Sequence, residues 1–338
     1  VSEPSWPSPN IGTLVFKLDK YRLMNEDTEI TEEELCLQSP LSNGMFAGKW
    51  CSYSTTPDLP HDQREEEGGA LVFTSEPLGS TLEIMGAAVI ELELSANKPV
   101  AMISVRLSDV HPDNKSSRVT YGLLNLTHRD SHANPAPLQP EKRYRVKVQL
   151  NGVAQTFPKG HRIRIAISSS YFPLAWPSGE SARIKIYTGC SRLILPGRTP
   201  RKEMISFPEP EASVSGARQQ LHEGHHDWRV IRELDKDFST LEVINDNGTY
   251  RLEDIDMIVK REANEWYSYQ CDDFESAKGK TLWRWGLKRG DWAVETVTRT
   301  LLHCDKLYFY LDAELDAYEG DKRVYSQNWN LRIKRNLV

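Results

Sequence analysis

The residues best suited to chemistry are few and scattered along the 338-residue chain. His222, His225 and His226 with Asp227 form its densest set of metal-ligand types. A zinc-class ion needs three or four such groups converging on one point. Glu223 and Gly224 between them mark a polar loop or strand edge, so solvated histidines are the favoured reading. A metal enzyme built on this cluster is the rival, and metal analysis would decide it. Nucleophilic catalysis on an α/β fold needs a serine raised on a sharp G-x-S-x-G turn. Gly179-Glu180-Ser181-Ala182 begins that pattern and fails at Arg183. Gly44-Met45-Phe46-Ala47-Gly48 has both glycines and no serine, and Ser168-Ser169-Ser170 ends an alternating strand with no glycines. No H-E-x-x-H and no phosphate loop occur. The sequence therefore supports no catalytic residue, no bound metal and no cofactor.

Three further groups carry polar or aromatic chemistry. Asp62-Gln63-Arg64-Glu65-Glu66-Glu67 reads as a solvated turn before a strand at 70–74. Its alternative is a fixed interdomain polar network made by Asp62 and Arg64. His161, after Pro158-Lys159-Gly160, reads as a hydrogen-bonded structural histidine. Trp283 and Trp285 share one face at strand spacing and read as core, with sugar stacking as the functional alternative.

The elements that must position these residues are strands. Ile90, Leu92 and Leu94 alternate with Glu91 and Glu93. Tyr144, Val146, Val148 and Leu150 alternate with Arg145, Lys147 and Gln149, and Ile163, Ile165 and Ile167 with Arg162, Arg164 and Ala166. Period two places one set in a core and the other in water, as in antiparallel sheets with one wet face. Helical pattern is scarce. The best candidate spans about 29–37, where Thr31-Glu32-Glu33-Glu34 fits a capping box. Residues 1–60, interrupted by six prolines, are expected to wrap a sheet or pack on a neighbour. Pro196-Gly197-Arg198-Thr199-Pro200 breaks the pattern, which sets a boundary near 200. Beyond it lie six of the nine tryptophans. Arg289-Gly290-Asp291 and Glu319-Gly320-Asp321 read as hairpin turns, and Asn245-Asp246-Asn247-Gly248 as another. Successive hairpins imply an antiparallel meander of roughly seven strands, curled or packed on a second layer.

Composition bounds the function class. There are 42 basic and 48 acidic residues, net −6, and neither half carries a basic excess, which argues against a nucleic-acid surface. No apolar run approaches membrane-spanning length. Five cysteines without a C-x-x-C pair suit reduced thiols in the cytoplasm better than a zinc ribbon or a disulfide framework. The opening Val1-Ser2-Glu3-Pro4, without Met or a signal segment, is expected of a piece of something longer.

Several ordered motifs between about 40 and 198 resemble one known domain. They are Asp62-Gln63-Arg64 with Leu71-Val72-Phe73-Thr74-Ser75-Glu76-Pro77-Leu78, then Val105-Arg106-Leu107-Ser108-Asp109-Val110-His111-Pro112-Asp113. The strongest is Phe157-Pro158-Lys159-Gly160-His161-Arg162-Ile163, continuing through Ile167-Ser168-Ser169-Ser170-Tyr171-Phe172-Pro173. Together they resemble the C-terminal domain of the serine hydrolases that include X-Pro dipeptidyl-peptidases and cocaine esterase. Residues 226–338 are similar to a tail on longer members. The resemblance implies a jelly-roll, galactose-binding-like β-sandwich over 1–200, which with the antiparallel β-meander read over 201–338 makes an all-β chain. It also implies an N-terminal α/β-hydrolase domain as partner, holding the Ser, Asp and His that match nothing here. In such an enzyme Met45, Phe46 and Trp50 either wall the substrate pocket or cover one edge of the jelly roll. An exposed apolar patch on the jelly roll is expected where the partner docks, with self-association through it as a further outcome. A free-standing carbohydrate- or ligand-binding module is the alternative from another class.

Overall fold

The computed structural model describes residues 3–49, 62–200, 206–213 and 216–338. The chain divides into two compact units, Val1–Ser206 with Leu337–Val338, and Phe207–Asn336. Both are β structures, and among the described residues no helix is long and apolar enough to cross a membrane.

The first unit holds twelve strands in one hydrogen-bonded network. They are β1 (Ile11–Asp19), β2 (Arg22–Asn25), β3 (Glu34–Leu37), β4 (Leu71–Ser75), β5 (Leu82–Gly86) and β6 (Val89–Ala96). After them come β7 (Met102–Val110), β8 (Ser116–Asn125), β9 (Tyr144–Gln149), β10 (Val153–Phe157), β11 (Arg162–Ser168) and β12 (Ile184–Arg198). The strand order is β10-β5-β12-β1-β2-β4-β11-β7-β8. β3 and β6 also pair with β12, and β9 pairs with β6. β12 is thus the spine, its 15 residues long enough for β3 to pair at Ile184–Tyr187, β1 at Arg192–Arg198 and β5 at Gly197–Arg198, while β6 pairs with a register shift between Tyr187 and Arg192. Period-two alternation builds the core directly: Val146 and Val148 of β9, Ile90, Leu92 and Leu94 of β6 and Ile163, Ile165 and Ile167 of β11 all point into it. Every residue of β7 is buried, so this strand has no wet face.

Two expectations fail in this unit. The capping-box segment is not helical: Glu34–Leu37 is β3, paired with Ile184–Tyr187 of β12, and Leu35 and Leu37 enter the core. A capping box adds little when a short amphipathic run can bury two leucines in an existing sheet. Nor does the proline-interrupted N-terminal region merely wrap: β1 pairs with β12 from Ile11↔Arg198 to Lys17↔Arg192 and contributes Phe16 and Leu18 to the core.

The second unit is an antiparallel meander of eight strands. These are β13 (Arg218–His222), β14 (His225–Glu233), β15 (Phe238–Leu252), β16 (Met257–Gln270), β17 (Lys278–Arg289), β18 (Trp292–Cys304), β19 (Tyr308–Glu319) and β20 (Lys322–Lys334). The order is β13-β15-β16-β17-β18-β19-β20, with β14 pairing along the other half of β15. Gly290 and Gly320, both at φ 55, make the expected hairpin turns. Asn245-Asp246-Asn247-Gly248 is instead a bulge inside β15, where the register against β16 skips from Asp246 to Thr249. Gly248 is required there, because its φ is +67 and a Cβ would lie 2.1 Å from the His222 carbonyl oxygen.

Apolar exposure is distributed differently from expectation. Trp283 and Trp285 are 48% and 53% exposed, so they are not core; the buried residues of this sheet are Leu241, Val259, Ala263 and Val297 among others. Trp292, Trp329, Leu331 and Ile333 are exposed as well. Among the described residues of the first unit, the large apolar groups so exposed are Trp6, Tyr21 and the C-terminal Val338. β20 has β19 as its strand partner and is exposed along all 13 residues.

Candidate functional site

The loop Pro40–Lys49 is drawn into successive turns: Asn43 N donates to Pro40 O, Met45 N to Ser42 O and Ala47 N to Gly44 O. Gly44 is dictated by space and conformation together. Its φ is +107, and a Cβ would sit 2.3 Å from the Phe172 carbonyl oxygen.

Glu66 holds this loop from the helical turn Arg64–Glu67. One carboxylate oxygen accepts from Gly44 N at 2.7 Å, the other from Phe46 N at 2.7 Å. Arg106, from the middle of β7, brings Nη1 to 3.3 Å of Glu66 Oε2 and donates Nη2 to the Glu66 carbonyl oxygen at 3.1 Å. Burial pushes the Glu66 carboxyl above the usual carboxylate range, opposed by Arg106 and the two N–H donors. The Arg106 guanidinium carbon also lies 5.6 Å from the Tyr171 ring centroid. Burial raises the pKa of the Tyr171 hydroxyl, and Arg118 donates to it at 3.2 Å while its other nitrogen reaches the Lys49 carbonyl at 2.8 Å.

Glu67 turns the other way. Ser116 Oγ donates to it at 2.5 Å and Arg164 Nη1 at 2.6 Å. Both Glu66 and Glu67 are buried, so the acidic run is not the solvated turn its composition suggests. Asp62 and Arg64 pair with each other, Arg64 Nε donating to Asp62 Oδ2 at 2.7 Å, and Asp62 Oδ1 accepts from the Ser116 and Arg64 N–H groups. The Arg64 hydrogen bond, followed by these backbone donors, holds the Asp62 carboxyl down at about 2.

Of the residues singled out by sequence, Met45 is 1% exposed, Phe46 is half-buried, and Trp50 lies outside the described residues. Met45 and Phe46 belong to the Glu66-held loop, whereas Asp62 and Arg64 form a separate pair at the start of the same turn. Sequence reasoning passed over Glu66 and Arg106. The available signal was an arginine flanked by Val105 and Leu107 in a strand that also carries Met102, Ile103 and Val110, and buried surroundings tolerate such a group only with a paired charge.

His222, His225 and His226 are exposed and do not converge. Another set does: Asp109, His111 and His161 each place a ligand-type atom within 4.8 Å of the others. His161 has the structural hydrogen bond expected of it, Nδ1 to Asp109 Oδ1 at 2.9 Å. The serine run is structural too, Ser168 Oγ donating to Ser170 O and Ser169 Oγ accepting from Ser39 N. The arrangement supplies rigid positioning rather than a nucleophile aligned with a base.

The chain is 28% identical over 183 residues to the cocaine esterase of Rhodococcus sp. (strain MB1 Bresler), covering 51% of this chain and 32% of that protein. It therefore spans about a third of that relative's length. The crystal structure of an aminopeptidase from the marine sediment archaeon Thaumarchaeota archaeon matches with a TM-score of 0.51 at 21% identity, over 58% of this chain and 38% of that one, a likeness of fold alone. The family model described as the X-Pro dipeptidyl-peptidase C-terminal non-catalytic domain matches residues 1–231. A match over more than half its length, spanning the first unit and running into the second, places this chain in the X-Pro dipeptidyl-peptidase C-terminal non-catalytic domain family.

Proposed function

We propose that this chain is the noncatalytic C-terminal portion of a serine hydrolase of esterase or X-Pro dipeptidyl-peptidase type, completing that enzyme against an N-terminal α/β-hydrolase domain. The observation that carries the reading is the family match over residues 1–231 in a sequence with no G-x-S-x-G. The intact enzyme would transfer an acyl group to serine and then to water, with an oxyanion hole stabilising the intermediate. Those groups lie outside this chain. In this reading residues 1–200 form the jelly-roll, galactose-binding-like domain and 201–338 the Trp- and Tyr-rich β domain. The unbridged cysteines Cys36, Cys190 and Cys271 support a cytoplasmic setting.

Within that enzyme the loop at 44–46 walls the substrate pocket. Phe46 is the residue offered to substrate, because it is half-buried on a backbone fixed by Glu66, while buried Met45 shapes the loop from beneath. Rigid placement of a large apolar group is what a specificity wall requires. F46A in the intact enzyme should change KM across esters of different acyl length while leaving the melting temperature in place. An unaltered KM series would remove the pocket role.

The coding sequence upstream of Val1 tests the main reading. An in-frame α/β-hydrolase region with G-x-S-x-G is the expected result. A start codon at Val1 with no such region would overturn it in favour of a free-standing binding module. The exposed Trp283, Trp285 and Trp292 favour that second reading, since tryptophan faces stack on sugars.

A further inference from the structure

Asp109 is the penultimate residue of β7, His111 follows the end of that strand directly, and His161 stands immediately before β11. β7 and β11 pair antiparallel with Val110 opposite Arg162 and Asp109 opposite Ile163. Continuing that register sets His161 opposite His111, and period two puts Asp109 and His111 on one face. The sheet itself therefore gathers the three side chains.

The backbone around them is fixed. His111 N donates to Lys115 O at 2.9 Å and Asn114 N to His111 O at 2.9 Å, closing the β7–β8 hairpin. His161 N donates to Pro158 O at 3.1 Å, and Leu78 N donates to His161 O at 2.8 Å. The two imidazole rings lie with centroids 4.8 Å apart. His161 and Asp109 expose 16% and 9% of their side chains, so the cluster is sheltered yet reachable. His111 Nε2 lies 3.3 Å from Ser117 Oγ.

We propose that Asp109, His111 and His161 form a three-ligand site for a divalent cation of the zinc class. Two imidazoles and one carboxylate are borderline ligands that suit Zn²⁺, Co²⁺ or Ni²⁺, whereas Mg²⁺ and Ca²⁺ favour all-oxygen shells. Ligand atoms around tetrahedral zinc sit roughly 3.3 Å apart, given metal–ligand distances near 2 Å. The present spacings, 2.9 Å for the Asp109–His161 contact and up to 4.8 Å within the set, bracket that value, so side-chain rotation suffices to close the shell. Three protein ligands leave a fourth position for water. The bound ion ties the β7–β8 hairpin to the turn before β11 and supplies the paired charge that a nearly buried Asp109 favours.

The test is Zn²⁺ titration of the purified chain by calorimetry, with Co²⁺ absorption as a geometric readout. One equivalent should bind, the Co²⁺ spectrum should be tetrahedral, and H111A and H161A should each weaken binding by more than about tenfold. H161A also removes the Asp109 hydrogen bond. H111A leaves that bond in place and carries the test if H161A does not fold. His128 and His132, with ring centroids 5.5 Å apart, and the exposed His225 and His226 are the competing surface ligands. Zn²⁺ binding that survives in folded H111A, or that is abolished by H128A or H225A/H226A, would overturn the assignment, as would the absence of stoichiometric binding.

Discussion

Arg106 Nη1 lies 3.3 Å from Glu66 Oε2, with the arginine side chain 1% exposed and the glutamate side chain fully buried. The pair joins the interior of β7 to the loop at 44–46, because the same carboxylate accepts the Gly44 and Phe46 N–H groups. Removing one member of such a pair leaves a buried charge uncompensated. E66A should therefore cost about 3–5 kcal/mol in urea unfolding. E66A/R106M should recover the charge term but not the two orphaned N–H groups, which cost about 1–3 kcal/mol each. Wild-type stability in E66A would contradict the buried pair.

Gly44 has no room for a side chain. G44A must shift the Phe172 carbonyl or abandon φ +107, a strain of about 1–3 kcal/mol. The loss should appear as a lower unfolding midpoint with an unchanged denaturant slope. G290A offers a control, since a Cβ at Gly290 meets nothing within 4 Å and only the positive φ resists.

Asp62 gives a pH signature. Its carboxyl sits at about 2 in the folded chain against an ordinary 3.8. A depressed carboxylate contributes stability above its unfolded value and loses it as pH falls through the folded one. The melting-temperature gap between wild type and D62N should be constant above pH about 4 and shrink between about 4 and 2. A gap that persists undiminished at pH 2 would mean Asp62 is not held by Arg64 and the Ser116 N–H.

Exposed and buried positions on one face of the second sheet should respond unequally. Trp283 pairs with Ala263, Trp285 with Arg261 and Leu241 with Tyr267, all along the same face of β16. W283S and W285S remove side chains that are about half exposed and should cost less than about 1 kcal/mol apiece. L241A empties a site 1% exposed and should cost about 2–5 kcal/mol. Comparable losses for the tryptophans and Leu241 would place the tryptophans in a core.

What could be read from sequence was whatever depends on near neighbours. Alternation at Tyr144–Gln149 and Arg162–Ser168 identified strands because period two is a property of a few consecutive residues. Gly290 and Gly320 marked hairpins because a tight turn needs a positive φ at a known place. Pairings distant in sequence were not legible. Glu34–Leu37 joins a strand 150 residues away, so its local helix signal misled. Asn245–Gly248 has turn composition, but β13 and β14 meeting on one long strand make it a bulge. Trp283 and Trp285 alternate like core residues and share a face with buried Ala263 and Val259, so period two alone does not tell a covered position from an exposed one. Glu66 is separated from Arg106 by 40 positions, and nothing within either segment names the other. The Asp109 and His161 motifs stood out individually, while their convergence required the β7–β11 register.

The uncovered margin of β20 has a consequence for how copies of this protein meet. A bare strand edge invites a like strand to zip onto it. Two copies aligned antiparallel about Asn328 would set Lys322 against Lys334 at both ends, with Arg323 and Arg332 close behind. Like charges directly opposite one another oppose that pairing. That one register is therefore disfavoured electrostatically, and salt, by screening the four lysines, should weaken the repulsion.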